Sequence, residues 1–354
     1  MKQKDKKRSI KYTGRLRNIN LSELEVLDDF RQQSEYKTAR TAAKRAKHFK
    51  RGVKLKLGRI VEVMSNYQCK ILMGNLQITA SVSGRLKQFK NQSSGILAVG
   101  DYVEVDIAQE PDYRVENILS RKNSLMRYTG GSYQKEIVLA ANIDQLVITT
   151  SWRMPNFKPG LVDRYLILAA KHKLRPVLVV NKIDLCEDLV ELEDEVEYYR
   201  ESGVKVILSS VLSGAGIEEL KSELKDMDTV FSGHSGAGKS SLINALEPGL
   251  ELMTAEVSDF NEKGKHTTTQ AVMLPFSFGG NLVDTPGIKT LTLHQDDAPL
   301  IPKLFPGFDR FYPYCRFRDC KHIQEEGCAV LNALENGNLD PMRYESYRWI
   351  MENI

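Results

Sequence analysis

No stretch of the chain approaches the roughly 20 consecutive apolar residues needed to cross a bilayer, and the N-terminus lacks the apolar core of a secretory signal. These two absences argue against a membrane span and against export. They make the cytoplasm the expected compartment, with no membrane among the expected partners. Cysteine is scarce, five in 354 residues, and three of the five fall within fourteen residues near the C-terminus. That clustering speaks for a metal site and against a disulfide framework, while Cys69 and Cys186 stand alone and read as packed or surface thiols. No internal repeat is visible. Neither sign of charge dominates, the formal net charge being +4, but the excess is uneven: residues 1–51 are rich in Lys and Arg, as in "MKQKDKKR" and "KTARTAAKRAKHFKR". Such a tail can neutralise phosphates and release counterions. The alternatives are a solvated extension or a mitochondrial presequence, and Glu23, Glu25, Asp28 and Asp29 speak against the latter.

What is present falls into distinct patterns along the chain. From about Lys54 to Ser120, "LKLGRIVEVM", "QCKILM", "LQITASV", "DYVEVDI" and "YRVENIL" read as five short strands, with turns at Met73–Asn75 and Val99–Asp101. They suit a small closed barrel of the OB type, with an SH3-like barrel as the alternative. OB barrels often bind single-stranded nucleic acid, so one beside a basic tail points to RNA. After a polar connector, "SRKNSLMRYTGGSYQKE", the apolar runs "IDQLVITTS", "RPVLVVNKID", "VKVILSS" and "DTVFSG" alternate with helical segments. Continuous apolar strands between helices imply a parallel sheet covered on both faces. The expected organisation is a basic extension over 1–52, an OB-fold barrel over 53–122, a doubly wound α/β domain over 123–293 and an α-rich module over 294–354.

Within the α/β portion, Gly233, His234, Ser235, Gly236, Ala237, Gly238, Lys239, Ser240 and Ser241 spell "GHSGAGKSS", which matches G-x-x-x-x-G-K-[ST] between a strand and a helix. Glycines let successive N–H groups point at phosphate oxygens, the lysine reaches the β- and γ-phosphates and the Ser240 hydroxyl ligates Mg²⁺. His234 is given no catalytic role. "LVDTPG" places Asp284 at the end of another apolar strand, where a carboxylate can hold Mg²⁺ through water, with the Gly287 N–H facing the γ-phosphate. Asn181, Lys182, Ile183 and Asp184 form "NKID" after a third strand. A carboxylate at Asp184 can accept from both the N1–H and the exocyclic amine of guanine, a pair of donors that adenine lacks. Asn181 would brace the phosphate loop and the Lys182 stem would lie along the base. "LSSVLSG" offers Ser209 and Ser210 as a second base contact. In "EKGKHTTTQ", Thr267 or Thr268 could ligate Mg²⁺ and sense the γ-phosphate. His266 is either a residue that positions water, since Ile288 stands where many GTPases place a glutamine, or a loop histidine contacting RNA.

Near the C-terminus "YCRFRDCKHIQEEGCAV" sets Cys315, Cys320, His322 and Cys328 at C-x4-C-x-H-x5-C. Three thiolates and an imidazole make a closed tetrahedral Zn²⁺ site of the structural kind. One zinc per chain would pin a small module unable to build a core otherwise, and Arg316, Arg318 and Lys321 between the ligands add phosphate contacts.

The base-reading motif precedes the phosphate loop, the reverse of the usual GTPase order. With the barrel and the cysteine cluster, this order resembles the circularly permuted GTPases of small-ribosomal-subunit biogenesis, the RsgA/YjeQ type. The residues that carry the resemblance are NKID at 181–184, GHSGAGKSS at 233–241, GKHTTT at 264–269, DTPG at 284–287 and the Cys/Cys/His/Cys set. It implies a multidomain fold, an OB barrel followed by a permuted P-loop GTPase domain and a zinc module. It further implies a GTPase that is slow alone, stimulated by the small (30S) subunit, binding rRNA and acting late in maturation of that particle. The expected ligands are GTP or GDP with Mg²⁺, and the expected state is a monomer. An RNA-binding assembly scaffold with structural nucleotide is the alternative; an ATP-using kinase fails on Asp184. Two departures stand out: Lys265 replaces the arginine of the family's usual Gly-Arg-His, and His234 stands where glutamine is common. The basic extension is also longer than the family pattern suggests.

Overall fold

The computed structural model describes residues 54–87, 96–128, 136–250, 271–284 and 292–354, all within a unit spanning Lys54–Ile354. The basic extension lies outside the described residues. Strands β1 (Leu55–Val63), β2 (Gln68–Met73) and β3 (Leu76–Val82) form an antiparallel meander. A one-turn helix α1 (Gly84–Lys87) follows, then β4 (Tyr102–Asp106) and β5 (Arg114–Ile118). β5 lies parallel to β3 and antiparallel to β4, and β4 returns to β1, closing a five-stranded barrel in the order 1-2-3-5-4. Alternation along each strand turns Ile60, Ile71, Ile78, Val103, Val105 and Val115 inward.

The connector is not irregular. β6 (Ser124–Tyr128) and β7 (Glu136–Ala141) pair as an antiparallel ribbon. Leu125 and Leu139 anchor it in the core of the next domain, and that burial outweighs the polar composition of the segment. The α/β domain then runs β8 (Gln145–Ser151), α2 (Pro159–Lys171), β9 (Arg175–Asn181), α3 (Leu189–Glu201), β10 (Lys205–Leu208), α4 (Ile217–Leu224), β11 (Asp228–Ser232), α5 (Lys239–Leu246), β12 (Val272–Pro275) and β13 (Asn281–Asp284). Its strand order is β10-β9-β8-β11-β13-β12, parallel except for β12. Leu146, Ile148, Leu178 and Val180 face α2 and α3 on one side, while Val147, Val177, Val179 and Phe231 face α4 and α5 on the other. That double burial is why the strands read as unbroken apolar runs.

Two features were not expected. β12 pairs with β1 through Glu62↔Val272, so the barrel and the α/β sheet form one sheet of eleven strands. The C-terminal module, with helices α6 (Ile301–Leu304), α7 (Ala329–Glu335) and α8 (Pro341–Glu352), has an apolar core of its own. Phe305, Phe308, Tyr347 and Ile350 pack around the cysteines and against Ile167 of α2. The metal is therefore not a substitute for a core.

α8 is pinned to α2 and α3 by a buried ionic cluster. Arg343 reaches Asp163 at 3.4 Å and the Tyr199 hydroxyl at 2.6 Å, and the Ser346 hydroxyl donates to Asp163 at 2.5 Å. Burial pushes the Asp163 carboxyl up to about 6, against the pull of Arg343 and Ser346. The folded chain thus keeps a proton that the unfolded chain releases near 3.8. The stability linked to this group is full below the unfolded value and falls as pH rises towards 6, by about 3 kcal/mol at most. Asp163→Asn should flatten that part of the pH dependence, measured by urea unfolding between about pH 4 and about pH 7; an unchanged slope would assign it to another group. Among the described residues no helix is long and apolar enough to cross a membrane.

Candidate nucleotide site and metal centre

The described motif residues gather at the carboxyl edge of the parallel sheet, because each follows or ends a strand of the same direction: NKID at the end of β9, the serine loop after β10, the phosphate loop after β11 and Asp284 at the end of β13. The permuted chain order leaves this convergence intact. Gly233 opens the phosphate loop at φ 139°, and a Cβ there would stand 1.9 Å from the Thr149 carbonyl oxygen of β8. Gly238 closes it at φ 87°, where a Cβ would stand 2.4 Å from Asn181 Nδ2. The space denied to side chains at both positions is occupied by the neighbouring strand ends.

Asn181, only 2% exposed, donates from Nδ2 to the Ala237 carbonyl at 3.0 Å. The last residue of β9 is thereby fastened to the phosphate loop, and the two motifs become one structure. Lys239, the first residue of α5, donates from Nζ to the Gly233 and His234 carbonyls at 2.7 and 2.8 Å, which arches the loop over the N-terminus of α5. Ser240 and Ser241 follow in the first turn, half-buried. The His234 ring Nδ1 lies 2.6 Å from the Ser235 carbonyl, so Nδ1 carries the proton.

Asp184 sits in a single 3-10 turn, Ile183–Leu185, launched by Lys182 at φ 63°. Lys182 Nζ donates to the Met154 carbonyl. The Ser210 hydroxyl donates to Asp184 Oδ1, and the Ser209 hydroxyl donates to Asn181 Oδ1 at 3.4 Å. Both serines are fully buried, and their hydroxyls brace NKID. Asp284 ends β13, half-buried, opposite Val272. His266, Thr267, Thr268 and Gly287 lie outside the described residues.

One contributor had no motif to announce it. The loop after β8 carries Met154, which accepts Lys182, and Pro155, whose Cδ lies 3.4 Å from where a Gly236 Cβ would stand; the Trp152 N–H donates to the Asn181 carbonyl at 3.2 Å. Its only sequence signal is position, since "IDQLVITTS" ends at the same sheet edge as the motif strands.

In the C-terminal module the donor atoms of Cys315, Cys320, His322 and Cys328 all lie within 4.8 Å of one another. His322 Nε2 stands 3.2 Å from the Pro302 carbonyl, which can only accept, so Nε2 carries the proton and the Nδ1 lone pair faces the sulfurs. Nδ1 is 3.3 Å from Cys328 Sγ and 3.6 Å from Cys315 Sγ. The Ala329 N–H points at Cys315 Sγ at 3.3 Å and the Leu331 N–H at Cys328 Sγ at 3.5 Å, a setting made for negatively charged sulfur. Burial pushes the Cys320 thiol up to about 12 and the Cys328 thiol upward, and lowers His322, so the imidazole is neutral and free to ligate. Glu325 braces the ligand loop by accepting from the Lys321, Ile323 and Gln324 N–H groups at 2.8, 2.9 and 3.1 Å. Partial burial would raise its carboxyl, but these donors hold it at about 2. The donor set fits a closed metal centre.

A five-stranded barrel, a phosphate loop braced by a preceding NKxD and a Cys₃His cluster define a circularly permuted GTPase. The family model for the RsgA GTPase matches residues 118–294, and the chain belongs to that family. The small ribosomal subunit biogenesis GTPase RsgA of Chlorobaculum parvum is 42% identical over 275 residues, 75% of this chain and 88% of that protein. Among solved structures, YjeQ from Thermotoga maritima aligns with a TM-score of 0.68 at 33% identity, covering 85% of this chain and 98% of its own. YloQ, a circularly permuted GTPase, aligns at 0.65 and 25% identity, covering 87% and 97%.

Proposed function

We propose that the chain hydrolyses GTP to GDP and phosphate as a step in small-ribosomal-subunit biogenesis, the role named for its relatives. The observation that carries the reading is the Asn181–Ala237 hydrogen bond, which joins the NKID motif to the phosphate loop. In this reading Asp184 selects guanine, the loop N–H groups and Lys239 hold the phosphates, and Ser240, Thr267 or Thr268 and Asp284 hold Mg²⁺. Held there, the ion would supply neutralisation of charge on the transferring phosphoryl group. Gly287 faces the γ-phosphate and His266 positions the attacking water. The Cys₃His centre is read as Zn²⁺, which suits three thiolates and an imidazole in a closed site.

The particle's RNA would be met by the barrel and by the metal loop, where Tyr314, Phe317 and Ile323 are exposed beside Arg316, Arg318 and Lys321. Arg316 already lies over the Phe317 ring at 5.4 Å, a pairing suited to stacking on unpaired bases. Turnover by the purified chain, with and without small subunits, tests the reading: stimulation is expected, and neither stimulation nor binding would overturn it. Ser240→Ala should lower turnover at saturating GTP by about tenfold or more and abolish GTP-dependent release from the particle. Release that persists in that variant although turnover falls would favour the scaffold reading, which Ile288 after DTPG supports.

A further inference from the structure

The seam between barrel and α/β sheet aligns the barrel's first strand with the strand that ends in Asp284. β1 runs antiparallel to β12, and β12 runs antiparallel to β13, so β1 and β13 point the same way. The pairs Glu62↔Val272 and Val272↔Asp284 put Glu62 level with Asp284. Arg59 lies three residues before Glu62, beyond an irregularity in β1 between Ile60 and Glu62, and Asn281 lies three residues before Asp284.

The guanidinium of Arg59 crosses to the α/β domain. It meets Asp228 Oδ2 at 2.5 Å and the Asn142 carbonyl at 3.3 Å, and it lies 5.0 Å over the Tyr102 ring. The other carboxylate oxygen of Asp228 accepts from Asn281 Nδ2 at 2.7 Å, and its N–H donates to Asp144 Oδ2 at 3.0 Å. Asp228 opens β11, which delivers the phosphate loop, and Asn281 opens β13, which delivers Asp284. The two strands pair in register through Asp228↔Asn281. One arginine from the barrel thus holds the shared footing of both phosphate-side strands. Its side chain is 17% exposed and that of Asp228 11%, so water competes weakly for the pair.

We propose that Arg59 is a positioning residue for GTP hydrolysis. By fixing Asp228, and through it Asn281, it sets the height at which Asp284 emerges relative to the phosphate loop and couples the barrel to the magnesium side of the site. The guanine-reading strand β9 stands one step further off, the Arg175 N–H that opens it donating to the carbonyl of Asp144 at 3.1 Å. The inference rests on the reading of Asp284 as the magnesium carboxylate. A displaced Asp284 carboxylate would weaken Mg²⁺-dependent steps and leave Mg²⁺-independent binding alone.

The test compares the full chain with its Arg59→Met, Arg59→Lys, Asp228→Asn and Asp284→Asn variants. The readouts are the Mg²⁺ concentration for half-maximal GTP turnover and the GDP affinity without Mg²⁺. Arg59→Met and Asp228→Asn should raise the Mg²⁺ requirement by about tenfold, with GDP affinity unchanged, and Arg59→Lys should recover part of the loss. Asp228→Asn keeps one oxygen for Asn281 and serves if Arg59→Met does not fold. An unchanged Mg²⁺ requirement in the Arg59 and Asp228 variants, or a parallel loss of GDP affinity, would overturn the proposal while leaving Asp284 in place. If Asp284→Asn itself left the requirement unchanged, the carboxylate assignment would fall, and the role of Arg59 with it.

Discussion

In Asp184→Asn, GTP affinity should fall by about two orders of magnitude or more, and xanthosine triphosphate should become the better ligand. The Asp184 carboxylate offers acceptors only, which match the N1–H and amine donors of guanine. The amide of asparagine offers one acceptor and one donor, which match the N1–H and C2 carbonyl of xanthine. In the GTP complex of the variant, a donor would face a donor in a site with little water to relieve it. The Ser210 hydroxyl makes this sharper, because it already binds Asp184 Oδ1 and fixes the plane of the carboxylate. Ser210→Ala should therefore weaken GTP binding as well, by about tenfold at most. Titration with GTP, XTP and ATP measures all three cases. A variant that still preferred GTP would remove Asp184 from the role of base reader.

Stripping the metal from the C-terminal module should cost on the order of several kcal/mol of its stability, less than the roughly 10–16 kcal/mol seen in zinc-finger peptides. The reduction follows from Phe305, Phe308 and Tyr347, which pack the module without the ion's help. What the ion would supply is neutralisation of three thiolates and a partner for the lone pair of one ring nitrogen, all held in that packing. Without it Cys320 reverts to a neutral thiol, its ionisation pushed up to about 12 by burial. Metal uptake must then expel protons, so affinity should fall steeply as pH drops, and acid should release the ion. Chelator titration followed by thermal unfolding, with metal content measured in parallel, gives the result. Cys320→Ser should reproduce the chelated state, while GDP affinity stays near normal because the phosphate loop lies in a separate core. A chelated chain that unfolded as before would deny the centre a structural role.

Much of this was legible in the sequence because the signals are local. The strands of the barrel alternate, the strands of the α/β domain do not, and each phosphate or base motif follows a strand of the second kind. The Cys-x4-Cys-x-His-x5-Cys spacing carried the metal centre. The ribbon of β6 and β7 was not legible, because Leu125 and Leu139 are single apolar anchors in polar segments and their burial is decided by a core they do not encode. The seam of barrel and sheet rests on a single register, Glu62↔Val272, with no local signature at all. The same holds for Arg59 and Asp228, 169 residues apart in sequence, and for Ser210, whose hydroxyl donates to the Asp184 carboxylate. The core of the C-terminal module was visible only as scattered aromatics, since Phe305, Phe308, Tyr344 and Tyr347 meet through chain reversals rather than along one periodic face.

The strand order β10-β9-β8-β11-β13-β12, continued by the barrel, has a further consequence. The strands that lead to the base-reading loops occupy one margin of the sheet, and β10 ends there without a neighbour among the described strands. β11 and β13, which lead to the phosphate loop and to Asp284, lie in the interior, with β12 between them and the barrel. On the proposed function, the base would be read at a free border and the phosphates sensed near a crowded one. A barrel cut away at residue 122 would leave β12 as a bare border too, and the isolated GTPase portion would gain an adhesive edge where the whole protein has a joint.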